Sequence, residues 1–202
     1  MLEKKRQSKT FLIKLKKINE SILADVNELK LMNRFLMKYL QVQSLRLQEI
    51  EITKIITELM DNYRSIFSDR FTFTCNFSTS LPSLLADEEQ LKEALAIIID
   101  NAIDAAPEGG TVSITTAFHE MLTHKKKKNI ISIEIEDNGC GISKDNLDKI
   151  FDPHYTNKKE GTGIGLAIAK RIVESHEGWI EVESKEKVGT KFALYLPVKN
   201  LP

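Results

Sequence analysis

The feature that most constrains this chain is a change in the spacing of its apolar residues just after Ser68. Before that point they recur every three or four positions, first through Ile22, Val26, Leu29, Met32, Leu36 and Leu40, then through Ile52, Ile55, Ile56, Leu59, Tyr63 and Ile66. Such spacing puts each set on one face of a helix. The first stripe has nothing in its own segment to cover it, so it needs a helical hairpin or a two-chain bundle. Residues 45–51 read as the hinge between the two helices. Beyond Ser68 the period falls to two. Phe71, Phe73, Cys75 and Phe77 alternate with Thr72, Thr74 and Asn76, the pattern of a strand with one buried face.

Helical and strand patterns then alternate. Asp87 is placed to cap a helix whose apolar face is Leu91, Leu95, Ile98, Ala102 and Ala105, closed by Pro107, Gly109 and Gly110. Strands follow at Val112 and Ile114 and at Ile131, Ile133 and Ile135, with residues 119–129 between them as a hairpin whose lysines 125–128 make a solvated tip. A short helix over residues 144–150, a loop to Gly161, a helix over 163–175 and strands through Ile180 and Val182 and through Phe192, Leu194 and Leu196 complete the chain. The sum predicts an α+β two-layer sandwich, a mixed sheet with helices on one face, behind long N-terminal helices. Two domains are expected: a helical segment over residues 1–66 and a sheet-containing domain over 67–202.

Composition narrows the function classes. Lys plus Arg and Asp plus Glu both count 29, so no net field steers the chain to nucleic acid or an anionic membrane. Cys75 and Cys140 are too few for a disulfide framework or a four-ligand zinc site, and the four histidines show no ligand spacing, which fits a reducing, cytoplasmic setting. The longest apolar runs, such as residues 94–99, fall far short of the ~20 needed to cross a bilayer. Membrane attachment is expected only through segments outside this sequence.

Three local motifs carry chemistry. Asp137 ends a strand of alternating isoleucines and is followed by Asn138, Gly139, Cys140 and Gly141, so its carboxylate sits on a rigid edge and can accept from an amine. An ordinary turn explains that motif equally well. Gly161, Gly163 and Gly165 directly precede a helix, whose free N–H groups and dipole favour an anion such as phosphate. Asn101 and Asp104 stand one turn apart on the helix after Asp87, where an amide oxygen can complete the shell of a magnesium ion or only hold a loop.

Taken in order, these motifs resemble the boxes of the GHKL ATPase superfamily, and specifically those of sensor histidine kinases. Residues 96–106 look like the N box, 137–141 the first glycine box, 150–159 the F box and 161–166 the second glycine box, with Gly189, Thr190, Lys191 and Phe192 completing the series. The resemblance implies an ATP-binding catalytic region that uses ATP and magnesium. By it, Asp137 holds the adenine amine, Asn101 ligates magnesium, and Gly163 and Gly165 approach the phosphates with Thr162 and Leu166 nearby. Lys158 lies in a mobile lid and neutralises phosphate charge, while Phe151 packs the base of that lid or simply joins the core. Asp104, Ala105, Gly139, Gly141, Ile142, Tyr155, Gly161, Ile164 and Thr190 complete the implied nucleotide site. Asn101 and Lys158 are the implied catalytic residues.

Upstream, residues 21–39 resemble the second helix of the dimerisation and histidine-phosphotransfer hairpin, nearest to nitrogen-regulation sensor kinases. The resemblance therefore implies a homodimer, phosphoryl transfer to a protein histidine, and a response-regulator receiver domain as final acceptor. Three departures stand out. No histidine precedes His119, so either the sequence starts just past the acceptor or another molecule supplies it. His119 and His176, each followed by Glu, are assigned structural or solvent roles. Ile97 stands where related enzymes place Asn or a general-base Glu, which predicts slow intrinsic ATP hydrolysis. His154 replaces a common Phe, as a packing substitution or a reporter of pH near the lid. The alternatives are an anti-sigma-type serine kinase, which would lack the N-terminal helices, and a non-catalytic ATP-gated interaction module.

Overall fold

The computed structural model describes residues 14–23, 26, 29–30, 33, 45–123, 126–158 and 161–198. Two compact units emerge, Met1–Leu40 and Gln41–Pro202. In the first, the described residues are helical, and Leu15, Ile18, Ile22, Leu23, Val26 and Leu29 are all exposed. They recur mostly at three and four positions, which leaves an apolar stripe on the helix. Met32, Leu36 and Leu40 of the expected stripe lie outside the described residues.

The second unit opens with strand β1 (Gln48–Ile50), helix α1 (Ile52–Phe67), and strands β2 (Thr72–Phe77) and β3 (Leu84–Ala86). Helix α2 (Glu88–Ala105) and strands β4 (Thr111–Thr123) and β5 (Lys126–Asp137) follow, then the short α3 (Lys144–Leu147), α4 (Gly165–Ser175), β6 (Trp179–Lys185) and β7 (Gly189–Pro197). The hinge expected at residues 45–51 is instead partly a strand, because β1 pairs antiparallel with β3 from Gln48↔Ala86 to Ile50↔Leu84. Helix α1, placed by its spacing in the helical segment, belongs to the second unit: it buries Ile52, Ile55, Ile56 and Met60, and its Tyr63 hydroxyl donates to Asp100 of α2.

The main sheet runs β2-β4-β5-β7-β6, with only β2 and β4 parallel. Register puts Ile114 beside Ile135, Phe192 and Val182 in one row, and Ile133 beside Leu194 and Ile180 in the next. These rows face α2 and α4, which bury Leu91, Leu95, Ile98, Ala102, Ile168, Ile172 and Val173. The opposite face carries Glu134, Glu136, Glu181, Glu183 and a stacked Trp179–Tyr195 pair, as expected of a sheet covered on one side. Each fully buried isoleucine contributes about 1.5–3 kcal/mol, so this interface is the main cohesive element. The expected α+β two-layer architecture is present.

Differences at element ends have local causes. Helix α4 starts at Gly165 rather than 163 because Gly163 has φ 64°, outside the helical region. The β4–β5 ladder continues through the expected hairpin as far as Thr123↔Lys126, since main-chain pairing is indifferent to the charged side chains it carries. Between β6 and β7, Lys187 holds φ 62° with its side chain exposed and its N–H donated to the Cys140 carbonyl at 2.7 Å. Left-handed backbone costs a residue with a Cβ about 1 kcal/mol or more. Lys187→Gly is therefore expected to raise unfolding free energy by about 0.5 kcal/mol, net of added freedom in the unfolded chain, seen as a higher thermal midpoint.

Candidate functional site

Asp87 caps α2, its Oδ1 accepting the Gln90 N–H at 3.1 Å, with Glu88 and Glu89 in the first turn. The far end of that helix therefore presents Asn101, half-buried, and Asp104, exposed, from a well-seated rod. The Asn101 amide donates back to the Ile97 carbonyl at 2.8 Å, which turns Oδ1 outward. There it accepts from the Lys158 ammonium at 2.8 Å, and Asp104 Oδ2 accepts from the same group at 2.7 Å. Both partners are exposed, so the pair itself contributes no more than about 1 kcal/mol. Its importance is positional: the segment after Phe151 is drawn onto α2.

Asp137 ends β5 and is 5% exposed. Its Oδ1 accepts the Gly139 N–H at 2.8 Å. Burial pushes the carboxyl above the ordinary aspartate range, while the backbone N–H groups of Gly139 and Thr190 draw it down and the Glu136 charge adds to the rise. The turn beyond it is pinned on both sides. Cys140 N–H donates to the Ala105 carbonyl at 3.0 Å, and Ile142 N–H donates to Ser184 Oγ at 2.8 Å. Ser184 Oγ in turn lies 2.9 Å from the Gly189 carbonyl and from Thr190 Oγ1. Gly141 has φ 68°, and a Cβ there would collide with the Lys185 carbonyl, so only glycine fits.

Two adjoining cavities run between these elements. One of about 270 Å³ is lined by Asn101, Asp104, Tyr155, Lys158, Gly161, Thr162, Gly163, Gly165 and Leu166 of the sequence-derived set, together with Ile97, Asp100, Ile150 and Thr156. The other, about 400 Å³, is lined by Asn101, Asp104, Ala105, Asp137, Gly141, Ile142, Tyr155, Lys158, Leu166 and Thr190 of that set. Asn101, Asp104, Tyr155, Lys158 and Leu166 of that set, with Ile150 and Thr156, line both and join the two. Gly139, Phe151 and Ile164 line neither. Ile164 is buried at 6% exposure, Gly139 lies against the Ala105 backbone, and Phe151 meets Phe192 edge-on at 6.4 Å with the Lys170 ammonium 5.3 Å from its ring centre.

Sequence reasoning passed over several residues of this site. Asn146 and Glu186 line the larger cavity from a one-turn helix and a loop without any local signal, and Thr156, inside the stretch resembling the F box, lines both. Tyr63 read only as one position of an apolar stripe, yet its hydroxyl lies 2.7 Å from Asp100 Oδ1, and burial and that carboxylate both push its phenol up. Ser184 acts on Ile142 across 42 positions of sequence, so spacing offered no signal. Ile97, which departs from the resembled pattern, lines the smaller cavity. His154 stands at φ 69° with its N–H donated to the Gly163 carbonyl at 2.9 Å. His119 Nε2 lies 2.8 Å from Ser132 Oγ, away from both cavities.

The family model described as histidine kinase-, DNA gyrase B-, and HSP90-like ATPase matches residues 86–200, more than half of the chain. Sensor histidine kinase ZraS of Escherichia coli strain K12 is 35% identical over 169 residues, which is 81% of this chain and 34% of ZraS. Sporulation kinase C of Bacillus subtilis strain 168 is 36% identical over 151 residues, or 74% of this chain and 33% of that one. Sensory histidine kinase/phosphatase NtrB of Escherichia coli O157:H7 is 34% identical over 157 residues, 76% of this chain and 42% of NtrB. The chain thus spans well under half the length of these relatives. Among solved structures, the catalytic domain of histidine kinase ThkA in a nucleotide-free form has a TM-score of 0.64 at 27% identity, covering 75% of this chain and 95% of its own. Full-length ShkA in complex with AMPPNP has a TM-score of 0.69 at 21% identity, over 86% of this chain and 36% of ShkA, a likeness of fold. With α2, the glycine turns and the five-stranded sheet all inside the matched span, the chain belongs to the histidine kinase-, DNA gyrase B- and HSP90-like ATPase family, as an ATP-binding domain of the sensor histidine kinase type.

Proposed function

We propose that this chain is the ATP-binding catalytic region of a two-component sensor histidine kinase, passing the γ-phosphoryl of ATP to a protein histidine and thence to a response-regulator aspartate. The observation that carries this reading is the pair of adjoining cavities, with the buried Asp137 carboxylate in one and the glycine run of 161–165 in the other, joined at Asn101, Asp104 and Lys158. Their ends suit an adenine amine and a triphosphate respectively. ShkA, which shares the fold, holds AMPPNP. Asp137 accepts the exocyclic amine, Lys158 neutralises phosphate charge, and the N–H groups at the start of α4 receive phosphate oxygens. Phosphoryl transfer asks mainly for such positioning and charge compensation.

Magnesium fits the oxygens present. Asn101 Oδ1 and Asp104 Oδ2 already converge on one cation, the Lys158 ammonium. A hard divalent ion would take the Asn101 oxygen and complete its shell from phosphates and water, where it offsets charge on the triphosphate. The exposed apolar stripe of the N-terminal helix supports pairing in a homodimer, in a cytoplasmic setting. The compact unit from Gln41 supports a catalytic domain that begins before residue 67. No histidine precedes His119, and His119 and His176 are engaged within the catalytic unit, which supports an acceptor histidine supplied from elsewhere.

The test is titration of the chain with a non-hydrolysable ATP analogue, with and without magnesium. The parent chain is expected to bind, and more tightly with the metal. Asn101→Ala should lose most of the metal's benefit, about tenfold, as expected for one charge-assisted contact. Absence of binding by the parent chain would withdraw the reading.

A further inference from the structure

His176 ends α4 with 5% of its surface exposed, and both ring nitrogens are engaged. Nδ1 lies 2.7 Å from the Ile172 carbonyl oxygen, and Nε2 lies 2.9 Å from the Asp87 backbone nitrogen. A carbonyl only accepts and a backbone N–H only donates, so these two partners select the neutral ring with its proton on Nδ1. Asp87 is in turn the cap of α2, and its Oδ2 accepts the Arg46 N–H at 2.8 Å just before β1. One imidazole therefore joins the last residue of one cavity-forming helix to the first turn of the other.

The position of this joint gives it a function. Helices α2 and α4 run antiparallel: Asp87 and His176 meet at one end, while Ile97 Cγ2 stands 3.2 Å from where a Gly165 Cβ would be. At ~1.5 Å of rise per residue, Asn101 lies about 20 Å and Gly165 about 16 Å along their helices from the joint. Packed helices behave as rods over such lengths, so whatever sets their axial register at the joint sets it at the cavity. We propose that His176 is a positioning residue for the phosphate end of the nucleotide site, holding the glycine run in register with Asn101. This inference rests on the nucleotide reading above. It assigns His176 no contact with substrate, and it leaves the adenine end, which β5, β7 and Ala105 of α2 build around Asp137, largely independent of α4, which reaches it only through Leu166.

That independence makes the proposal testable on the full chain. His176→Phe keeps the volume and removes the acceptor. His176→Asn keeps a donor near Nδ1 but falls short of Asp87, and His176→Gln restores an acceptor at about the original reach. Magnesium-bound AMPPNP would be titrated by calorimetry, and adenosine followed by ligand-observed NMR. The Phe and Asn variants are expected to bind AMPPNP about tenfold more weakly with adenosine binding unchanged, and Gln to recover most of the loss. Should the Phe variant not fold, the Asn and Gln pair decides by the same contrast. Equal AMPPNP affinity in Asn and parent overturns the proposal, as does a loss of adenosine binding in step with AMPPNP. A parent chain that binds neither ligand overturns the nucleotide reading itself, and this inference with it.

Discussion

Asp137→Asn is expected to weaken binding of a magnesium-bound ATP analogue about a hundredfold, the largest loss from any single polar substitution here. The carboxylate already accepts N–H groups from Gly139 and Thr190 and keeps further acceptor capacity for an adenine amine. An amide in its place has one oxygen for the chain's own donors and turns an NH₂ towards either a backbone N–H or the ligand. The buried donor left facing it is what makes such a site discriminate. Calorimetry on parent and variant measures this directly, and equal affinities would remove Asp137 from the adenine end.

Stability should respond differently from binding. Burial raises the Asp137 carboxyl in the folded chain, so the charged form is penalised there relative to the unfolded chain. The sign follows: the group destabilises the fold above its folded-state value, and this penalty disappears as pH falls through that value towards the ordinary aspartate range. The Asn variant carries no such charge. Its thermal midpoint relative to the parent's should therefore be highest at neutral pH and fall on acidification as the parent sheds its charge penalty, with the oxygen lost to the Gly139 or Thr190 N–H offsetting part of the gain. A carboxylate whose charge is penalised by burial, at the head of a cavity, fits a group kept for binding as well as for holding the Gly139 and Thr190 N–H groups.

Much of the architecture could be read from the sequence because it is set locally. Alternation in Ile131, Ile133 and Ile135 names a buried face without knowledge of the partner strand, and Asp87 announces α2 through a cap completed three residues on. Asn101, Asp137 and the glycine run were visible for the same reason: turns and helix ends impose their residue types at short range. What escaped depends on partners distant in sequence. Residues 48–50 are polar, polar and apolar, and become a strand only because β3 offers a ladder. Tyr63 meets Asp100, Ser184 meets Ile142 and His176 meets Asp87 across separations of 37, 42 and 89 positions. No periodicity reports such contacts, and they are the ones that hold the legible motifs in place.

The other large effect is expected at Gly163, where backbone geometry and packing make the same demand. Its φ of 64° suits glycine, and a Cβ there would stand 2.5 Å from the His154 carbonyl carbon and 2.8 Å from its Cα. Those atoms are backbone and cannot rotate aside. Gly163 also accepts the His154 N–H, so the contact pins the segment leading to Lys158 onto the start of α4. Gly163→Ala must break that bond and displace one of the two. Helix α4 is held by buried Ile168, Ala169, Ile172 and Val173, whereas residues 152–154 and 156–158 are exposed, so the exposed segment moves. Lys158 then leaves Asn101 and Asp104, and affinity for a triphosphate should fall about a hundredfold while the thermal midpoint changes by only a few degrees. Gly165→Ala is the control for the ligand-free chain: a Cβ there meets only Ile97 Cγ2 at 3.2 Å, a side-chain methyl that can give way. Limited proteolysis without nucleotide should cut residues 152–158 faster in Gly163→Ala than in either Gly165→Ala or the parent. Equal cutting in all three would mean that Gly163 does not anchor this segment, and any loss of affinity in the variant would then have to come from the phosphates' own approach to its backbone.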